Sequence, residues 1–395
     1  MTLVSTRSED PAKVDLHSAD RKALERMHAV CPVWRGVTLA RDVIAFPGRC
    51  ILHAGPPAIL GQIAQPLANS AIMAILYEGW ADDTSSAAAM LDRGEVQLLP
   101  AQDHRAMVPL AAVLSPNMAV QVVADSRNPD NAVFSPLNGG MISAQHLGLC
   151  GRHVLAHLRW INGNLAATLE IIADRDIPLI EIADVVLESG DDCHSCTADA
   201  TDRLIRAIAP RLGGDMPERR FLDKAPGFFL NLWMAAVKCI ATAAEGEASS
   251  IVTALGGNGV EVGLKLGGLP DRWFVAAAAP PADAVLPGYQ EDDRLGAIGD
   301  GALVDALGFG AMISVSVRGN FATAGLPAGL LPLQHPAFSR TKIHVGMPAR
   351  KIIEHGAAPG IVLDILDRGG KGGRIGDGIY VPALGLFGAA MAALD

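Results

Sequence analysis

The alternation of apolar and polar residues predicts a mixture of helices and strands along the chain. Leu24, Met27 and His28 share one face behind the possible caps Ser18 and Asp20, which predicts a helix over 18–30. Short apolar runs bounded by glycine and proline predict strands, and longer uncharged runs predict helices. The next predicted elements are helices over 58–77, interrupted by Pro66, and 84–92, and strands over 50–53, 96–99 and 118–124.

Between residues 151 and 245 the pattern becomes helical. Leu155, Leu158, Ile161 and Leu165 recur at helical spacing, which places an apolar stripe on one side of a helix. The predicted helices of this segment are 153–172, 197–212 and 226–244. The segment is therefore predicted to form a small helical domain.

After residue 248 the pattern returns to strands. Residues 251–255 and 260–266 flank the pair Asn258-Gly259, which supplies the positive φ angles of a tight hairpin turn. In the second strand, apolar and other residues alternate along 260–266. The remaining predicted elements are strands over 273–277, 312–317 and 361–365 and a closing helix over 382–394.

These elements predict an α+β fold with two mixed α/β domains plus a small helical domain. The regular strand–helix rhythm of a doubly wound sheet is missing. The predicted boundaries are a tail at 1–16, a mixed domain at 17–150, the helical domain at 151–245 and a mixed domain at 246–395. The length of 395 residues agrees with two or three domains, because one core rarely serves more than about 300 residues.

Charge and composition exclude several classes of protein. The net charge is −10, from 42 acidic and 32 basic residues, and no cluster of Lys and Arg indicates a nucleic-acid surface. The N-terminus lacks the apolar run of a signal peptide, and no stretch of about 20 residues has the character of a membrane span. Six scattered cysteines do not form a disulfide framework. We therefore expect a reduced cytoplasmic protein that binds neither nucleic acid nor membrane.

The sequence Cys193-His194-Ser195-Cys196 is the first candidate for chemistry. Two thiolates at this spacing can bind zinc or form a redox pair, but a structural zinc site needs about four ligands. His153 and His157 lie upstream at helical spacing, and only a contact in the fold would join them to this pair. The alternative is two small buried thiols, and no metal is predicted.

His194 and the acidic pair before it lie in a loop that precedes a predicted helix. A histidine in such a loop can reach a ligand. Asp191 and Asp192 have a structural alternative, because acidic residues favour the positive end of a helix.

Glycine-rich segments give little support to a nucleotide cofactor. None has the spacing and context of a dinucleotide-binding or P-loop motif, and no cofactor is predicted. The segment Gly369-Gly370-Lys371-Gly372-Gly373-Arg374 combines backbone N–H groups with two cations, which suits a carboxylate or phosphate. The alternative is an exposed flexible turn.

An ordered set of segments across roughly 17–392 resembles one family, the oxamate carbamoyltransferase subunits. The matching segments are His53-Ala54-Gly55-Pro56-Pro57, Leu76-Tyr77-Glu78-Gly79-Trp80-Ala81, His104 with Pro109, Ser115-Pro116-Asn117-Met118, Leu137-Asn138-Gly139-Gly140, Asp191-Asp192-Cys193-His194 with Ala200-Thr201, Phe228-Phe229-Leu230-Asn231, Ile251-Val252-Thr253, Asn258-Gly259-Val260-Glu261, Asp271-Arg272-Trp273-Phe274, Gly288-Tyr289, Ile298-Gly299-Asp300 and Ile375-Gly376. The family's two α+β domains and small helical domain agree with the predicted fold.

The resemblance implies carbamoyl transfer in purine and allantoin breakdown, between oxalurate and phosphate with oxamate as product. It also implies partner subunits, among them an acyl-CoA-synthetase-like protein, or a homo-oligomer. Such a reaction forms an oxyanion and needs hydrogen-bond donors and cations. By this resemblance His104 and His194 are predicted to transfer protons, Asn138 and Asn258 to hold an amide or carboxylate, and Arg374 or Lys371 to hold phosphate.

Asp192, Glu261 and Asp300 complete the predicted substrate-binding set, and each has a structural alternative. Asp192 can stabilise a helix start, Glu261 can lie on the solvated face of a strand, and Asp300 can cap the helix that follows. Asn138 and Asn258 can likewise serve only as turn residues.

The chain departs from the family pattern at several positions expected in the site. Ala101, Gln102 and Asp103 stand where Cys and His are common, and Gly139 replaces a Glu. Ser195 and Cys196 follow the histidine in place of Asn and Arg, Lys224-Ala225-Pro226-Gly227 replaces a polar run, and Leu366-Asp367 stands where a His is usual. Two alternatives to a carbamoyltransferase therefore stay open: a non-catalytic scaffold or ligand-binding subunit, and an amide hydrolase.

Overall fold

The computed structural model describes residues 17–170, 175–212, 214–246, 248–310 and 330–394. The helices are α1 Ser18–Ala29, α2 Ala40–Val43, α3 Gln65–Tyr77, α4 Thr84–Asp92, α5 Arg152–Trp160, α6 Ala166–Leu169, α7 Leu179–Ser189, α8 Ala198–Ile208, α9 Pro217–Leu222, α10 Phe228–Thr242, α11 Ala302–Ala306, α12 Ala349–His355 and α13 Leu384–Leu394. A π-helical segment, Ile161–Leu165, joins α5 to α6, and 3₁₀ turns lie at Ala101–His104, Gln145–Leu147, Ala209–Arg211 and Glu291–Asp293.

The strands form several separate sheets, which confirms the predicted α+β class. The strands are β1 Pro32–Leu39, β2 Cys50–His53, β3 Gln97–Pro100, β4 Val113–Leu114, β5 Ala119–Asp125, β6 Ala132–Pro136, β7 Ile177–Pro178, β8 Val252–Asn258, β9 Glu261–Leu266, β10 Leu269–Ala277, β11 Ile298–Gly299, β12 Leu333–Gln334, β13 His344–Val345, β14 Ile361–Leu366 and β15 Arg374–Tyr380.

Two four-stranded antiparallel sheets form the main framework. The first has the order β6-β5-β1-β7, with Val37 opposite Gln121 in its centre. The second has the order β10-β9-β8-β11 and contains the predicted hairpin, with Leu255 opposite Leu264. A three-stranded sheet, β3-β2-β4, pairs β2 and β3 in parallel, and β12-β13 and β14-β15 are two-stranded pairs.

Helix α10 lies between the two main sheets. It contacts β1, β5 and β6 of the first sheet and β8 of the second, and nearly all of its side chains are buried. A helix that is apolar on all sides suits such a position, because no side of it needs to face water. Its indole nitrogen at Trp233 donates to the carbonyl of Phe309 at 2.9 Å, which ties α10 to the segment after α11.

The segment 151–245, predicted to be a separate helical domain, packs against both neighbouring parts of the chain. Helix α10 and strand β7 both lie within it, and both pack against or pair with strand β1 of the first sheet. One continuous core runs from Ala23 to Met391. The domain boundaries stay predictions, whereas these contacts show that the segment shares its core with both flanking parts.

Several predicted elements differ in their bounds for identifiable reasons. The helix predicted over 58–77 begins only at Gln65, because Pro66 takes its first turn, a position that proline favours. The helix predicted over 153–172 is observed as α5, the π-helical segment and α6. Strand β1 and helix α7 were missed, and the strand predicted over 312–317 lies outside the described residues. Among the helices that the structure describes, none has the length and apolar character needed to cross a bilayer.

Candidate functional site

A buried carboxylate, that of Asp300, joins three parts of the chain. Its Oδ1 accepts hydrogen bonds from the backbone N–H of Gly55 at 2.9 Å and from Nε2 of Gln102 at 2.7 Å. Its Oδ2 accepts one from the backbone N–H of Val108 at 3.0 Å. Burial raises the pKa of Asp300 to about 7, and the hydrogen bonds, which favour the charged form, oppose that rise. The carboxyl group can therefore take up or release a proton near neutral pH.

Glycines allow the backbone of β8 to approach Asp300. A Cβ on Gly256 would lie 2.6 Å from Oδ1 of Asp300, and one on Gly55 would lie 2.4 Å from the carbonyl carbon of Gly257. Real Cβ atoms do not approach other atoms so closely. Glycine is thus required at these positions for the end of β2 and the end of β8 to meet around the carboxylate.

Asn258 lies at the end of β8 and closes the predicted hairpin turn. Its Oδ1 accepts hydrogen bonds from the backbone N–H groups of Val260 at 3.0 Å and Glu261 at 2.8 Å, and its Nδ2 donates to the carbonyl of Pro56 at 3.2 Å. The Asn258 amide is close to the Asp300 site, but its oxygen and nitrogen already form the hydrogen bonds of the turn. The Glu261 side chain forms no hydrogen bond or ion pair within the described residues.

His194 lies beside the residue that follows Asp300. Its Nδ1 is 3.0 Å from Oδ1 of Asp305, and both side chains are buried. Burial, the largest single effect, would lower the pKa of His194, but the carboxylate of Asp305, together with those of Asp192 and Asp364, raises the pKa above its ordinary value. Oδ2 of Asp305 accepts a hydrogen bond from the backbone N–H of Val362 at 2.8 Å. Gly301 leaves room for the ring, since a Cβ there would lie 2.4 Å from Nε2 of His194.

Two carboxylates hold the loop that carries His194. Oδ1 of Asp192 accepts hydrogen bonds from the backbone N–H groups of His194 at 2.9 Å and Cys196 at 2.7 Å. Oδ2 of Asp191 accepts from the backbone N–H groups of Asp199 and Ala200, in the first turn of α8. Asp191 therefore has the predicted helix-start role, and Asp192 orients the histidine loop.

The cysteines of this loop differ in exposure. Cys193 is buried and burial raises its pKa well above the ordinary value, so it stays a protonated thiol, whereas Cys196 is exposed. Over the described ranges, no group of three or more His, Cys, Asp or Glu side chains is placed to hold a metal ion. The arrangement gives no support to a zinc site formed by this pair.

A small cavity of about 30 Å³ lies between α5, α10 and the segment after β6. This volume suffices for one water molecule. Its lining includes His146, His157 and Asn231 among apolar side chains. Asn138 borders it, because Nδ2 of Asn138 donates to Oδ1 of Asn231 at 3.2 Å, while its own Oδ1 accepts from the backbone N–H of Gly140 at 2.9 Å.

The two histidines of the cavity differ in their hydrogen bonding. Nε2 of His157 lies 2.8 Å from the carbonyl oxygen of Gly139, which can only accept, so this nitrogen carries a proton. Burial lowers the pKa of His146 to about 4, and its ring is therefore neutral near pH 7. Neither ring nitrogen of His146 is hydrogen-bonded within the part of the chain that the structure describes. A neutral, unpartnered imidazole can donate to or accept from a small ligand.

A larger cleft of about 780 Å³ lies between α3, α5 and the glycine-rich segment that follows β14. Its lining includes the cationic side chains of Arg368 and Lys371, together with His153 of α5. All three residues are exposed. The cleft is therefore open to solvent and carries positive charge.

The glycine-rich segment itself is folded around an internal anion. The backbone N–H groups of Gly369, Lys371 and Gly372 donate to the carboxylate of Asp367 at 2.9, 2.9 and 2.7 Å. Burial would raise the pKa of Asp367, but these three donors outweigh it and lower the pKa. The predicted backbone cradle exists, and a carboxylate of the chain fills it.

The last two predicted residues, Arg374 and His104, form no hydrogen bond with Asp300 within the described residues. Nε of Arg374 is 2.8 Å from Oδ1 of Asp364, and its Nη2 contacts Asp377, so the guanidinium is paired with two carboxylates, of which Asp364 also raises the pKa of His194. His104 ends the 3₁₀ turn after β3 and forms no hydrogen bond or ion pair within the described residues. Of the predicted site residues, the fold places Asp192, His194 and Asn258 near the segment that carries Asp300 and places Asn138 at the cavity, whereas the side chains of His104, Glu261 and Arg374 bond to none of these groups within the described residues.

Three residues of these sites were not predicted: Gln102, Asp305 and His146. Gln102 stands at a position where the resemblance marks only a departure. Asp305 is a lone acid in the apolar run Ala302-Leu303-Val304-Asp305-Ala306-Leu307, and that isolation is a usable signal of a buried partner. Nothing in the local pattern around His146 indicates its role.

The fold and these sites define an α+β protein with a buried acid, a buried acid–histidine pair and an adjoining polar cavity. A crystal structure of a conserved protein of unknown function from Enterococcus faecalis V583 has the same fold, with a TM-score of 0.87 and 26% identity, and the match covers 95% of this chain and 96% of that one. The chain belongs to the family described as oxamate carbamoyltransferase subunit AllG, whose family model matches residues 96–301.

Two relatives from Escherichia coli (strain K12) are similar over most of their length. The chain is 29% identical to the oxamate carbamoyltransferase subunit AllG, over 95% of this chain and 97% of that protein. It is 28% identical to the uncharacterized protein YahG, over 80% of this chain and 70% of that protein. These matches confirm the resemblance found in the sequence.

Proposed function

We propose that this chain is a subunit of a carbamoyltransferase that acts on a small ureido or amide acid of the oxalurate–oxamate type. One observation carries the proposal. The family match over 96–301 contains Gln102, His194 and Asp300, so these three groups lie within the matching part, and Asp305 lies just beyond it. The relative that the chain matches over nearly its whole length is itself named an oxamate carbamoyltransferase subunit.

The proposed reaction exchanges one bond at the carbamoyl carbon. An oxygen of hydrogen phosphate forms a bond to that carbon, and the bond from the carbon to the amide nitrogen breaks. The electron pair of the broken bond goes to the nitrogen, which takes up the proton that hydrogen phosphate gives up. The products are carbamoyl phosphate and the free amide acid. The intermediate carries a negative oxygen, which buried hydrogen-bond donors stabilise.

The buried groups have properties that suit this reaction. His194 has a raised pKa, so a larger fraction of its rings is protonated near neutral pH, and it can donate a proton to the leaving nitrogen. Asp305 orients the ring through Nδ1. Asp300, with a pKa of about 7, holds the segment Gly299–Gly301 against the loop that starts at Val108 and leads to the cavity. We assign the proton transfer to His194 rather than His104; the pair with Asp305 supports this choice, and His104 forms no ion pair with the described residues.

The test is an activity assay of the purified chain, alone and with its partner subunits. Ureido acids are supplied with phosphate, and carbamoyl phosphate is measured by phosphorus NMR. We expect product in at least one preparation, and His194→Asn should lower the rate by a factor on the order of 10² or more. The matched control is His355→Asn, an exposed histidine on α12.

Each other outcome contradicts the proposal in a recognisable way. If neither preparation forms carbamoyl phosphate from any ureido acid, the proposed activity is wrong. If the complex is active and His194→Asn has no effect, this chain is a scaffold subunit. If ammonia is released without any dependence on phosphate, the protein is an amide hydrolase.

A further inference from the structure

We infer that the 780 Å³ cleft is a binding site for the anionic group of a small ligand, a phosphate or a carboxylate, held by the side chains of Arg368, Lys371 and His153. The choice of phosphate and oxamate as probes rests on the proposed function. The inference of an anion site rests on the charges, the loop structure and the position of the cleft.

The charge of the cleft is opposite to that of the protein. The chain has a net charge of −10, yet no lining residue of the cleft is acidic. Within the described ranges, neither Arg368 nor Lys371 forms an ion pair, in contrast to Arg374 nearby, which is paired with two carboxylates. The Asp367 carboxylate interacts electrostatically with Lys371, but it accepts three backbone N–H groups of the loop and does not line the cleft, so the two cations at the opening still attract an anion from solution.

The loop that carries the two cations is fixed before any ligand binds. The Asp367 carboxylate holds three of its N–H groups, and Nδ2 of Asn69 donates to the carbonyl of Gly370 at 2.9 Å and to that of Gly148 at 2.8 Å. Gly370 has a φ of +66°, and a Cβ there would lie 2.5 Å from Nδ2 of Asn69. Binding therefore needs no ordering of the backbone, which saves part of the entropy cost of association.

The cleft adjoins the small cavity. His153, which lines the cleft, and His157, which lines the cavity, are four residues apart on α5, or about 6 Å along the helix axis. The segment after β6 also borders both, since His146 lines the cavity and Cys150 lines the cleft. One helical turn thus separates a positively charged outer compartment from an inner compartment with amide and imidazole groups. The inner compartment has room for one water molecule, so the ligand itself lies in the outer, positively charged cleft.

Cys150 provides a direct reading of ligand in the cleft. It is exposed and lines the cleft, whereas Cys31, partly exposed before β1, lines neither the cleft nor the small cavity, which makes Cys31 an internal control. The full chain is alkylated with iodoacetamide at mildly alkaline pH, because partial burial raises the pKa of Cys150. The rates at both cysteines are measured by peptide mass spectrometry, with increasing inorganic phosphate in one arm and oxamate in another, against sodium chloride of equal ionic strength.

We expect phosphate, oxamate or both to slow the alkylation of Cys150 in a saturable way and to leave the alkylation of Cys31 unchanged. The double variant Arg368→Gln/Lys371→Gln should raise the half-saturating concentration of the anion at least tenfold, since two charges at contact distance each contribute a factor of this order to the affinity. Lys371→Arg should retain protection. Arg206→Gln, which removes an exposed cation on α8, should behave like the unchanged protein.

Three results would overturn the inference: protection by neither anion, equal slowing at Cys31, or undiminished protection in the double variant. The two proposals can fail separately. Protection of Cys150 without carbamoyl transfer leaves the anion site and removes the proposed activity. Carbamoyl transfer without protection leaves the activity and removes this site.

Discussion

The buried carboxyl group of Asp300 should make the stability of this protein depend on pH in a defined direction. Its pKa is about 7 in the folded protein against an ordinary 3.8. Between these values the folded state binds more protons than the unfolded chain, so the free energy of unfolding decreases as the pH rises. From about pH 5 to about pH 8 the linkage relation gives a decrease of about 2–3 kcal/mol from this one group.

The variant Asp300→Asn removes this titration while keeping the shape of the side chain. Like the protonated carboxyl group at about pH 5, the amide offers one acceptor oxygen instead of two to the N–H groups of Gly55 and Val108, so the two proteins should have similar stability at that pH. The informative quantity is the difference in unfolding free energy between the two proteins, measured by urea denaturation at about pH 5 and about pH 8. Between these pH values the variant should gain about 2–3 kcal/mol relative to the unchanged protein.

Other titrating groups are the same in both proteins and cancel in this comparison. A difference that is the same at both pH values would show that Asp300 does not hold a proton in the folded protein. The raised pKa of the buried Asp300 carboxyl group would then be refuted.

The remaining predictions concern His194, two glycines and the loop around Asp367. Asp305→Asn removes a partner that raises the pKa of His194 and should lower the free energy of unfolding by about 3–5 kcal/mol at low pH. The stabilisation from the raised pKa is complete below about pH 6.5 and is lost as the pH rises through the folded pKa, so the effect of the variant should be smaller at about pH 9. Gly256→Ala should destabilise the protein by about 1–3 kcal/mol in urea unfolding. The control Gly163→Ala, whose Cβ meets no atom within 4 Å, should be neutral or stabilising, and equal effects of the two variants would contradict the close approach of β8 to Asp300. Asp367→Ala should speed hydrogen exchange at amides 369–372 and leave β5 unchanged, and unaltered exchange would show that the carboxylate does not hold the loop.

Local sequence signals predicted the elements whose ends are marked by caps and turns. Helix α4 begins after Asp83, whose Oδ1 accepts from the N–H of Ser86 at 2.8 Å, and it ends before Gly94. The hairpin at Asn258 was predicted from its turn residues together with the alternation along 260–266. Strand β1 escaped prediction because most of its residues are buried on both faces, which removes the alternation that marks a half-buried strand.

A residue of the candidate site was predictable only where its own type and local sequence indicated its role. His194 attracts attention as a histidine in a loop, and Asp300 through the resemblance. Their partners Asp305 and Gln102 could not be predicted, because packing of distant segments determines which groups meet. The role of the glycine-rich segment was likewise set by tertiary structure, since its backbone N–H groups are satisfied by Asp367 and its cations face a cleft formed with α3 and α5.

The position of α10 limits how the sequence of this family can change over time. The helix touches both main sheets and has almost no side toward water, so a larger or smaller residue on it cannot be accommodated by a shift into solvent. A substitution in β5 or β6 that moves α10 also displaces β8, and β8 lines the Asp300 site. We therefore expect the two sheets to accumulate compensating substitutions, so that neither half of the protein can be exchanged between relatives without the other.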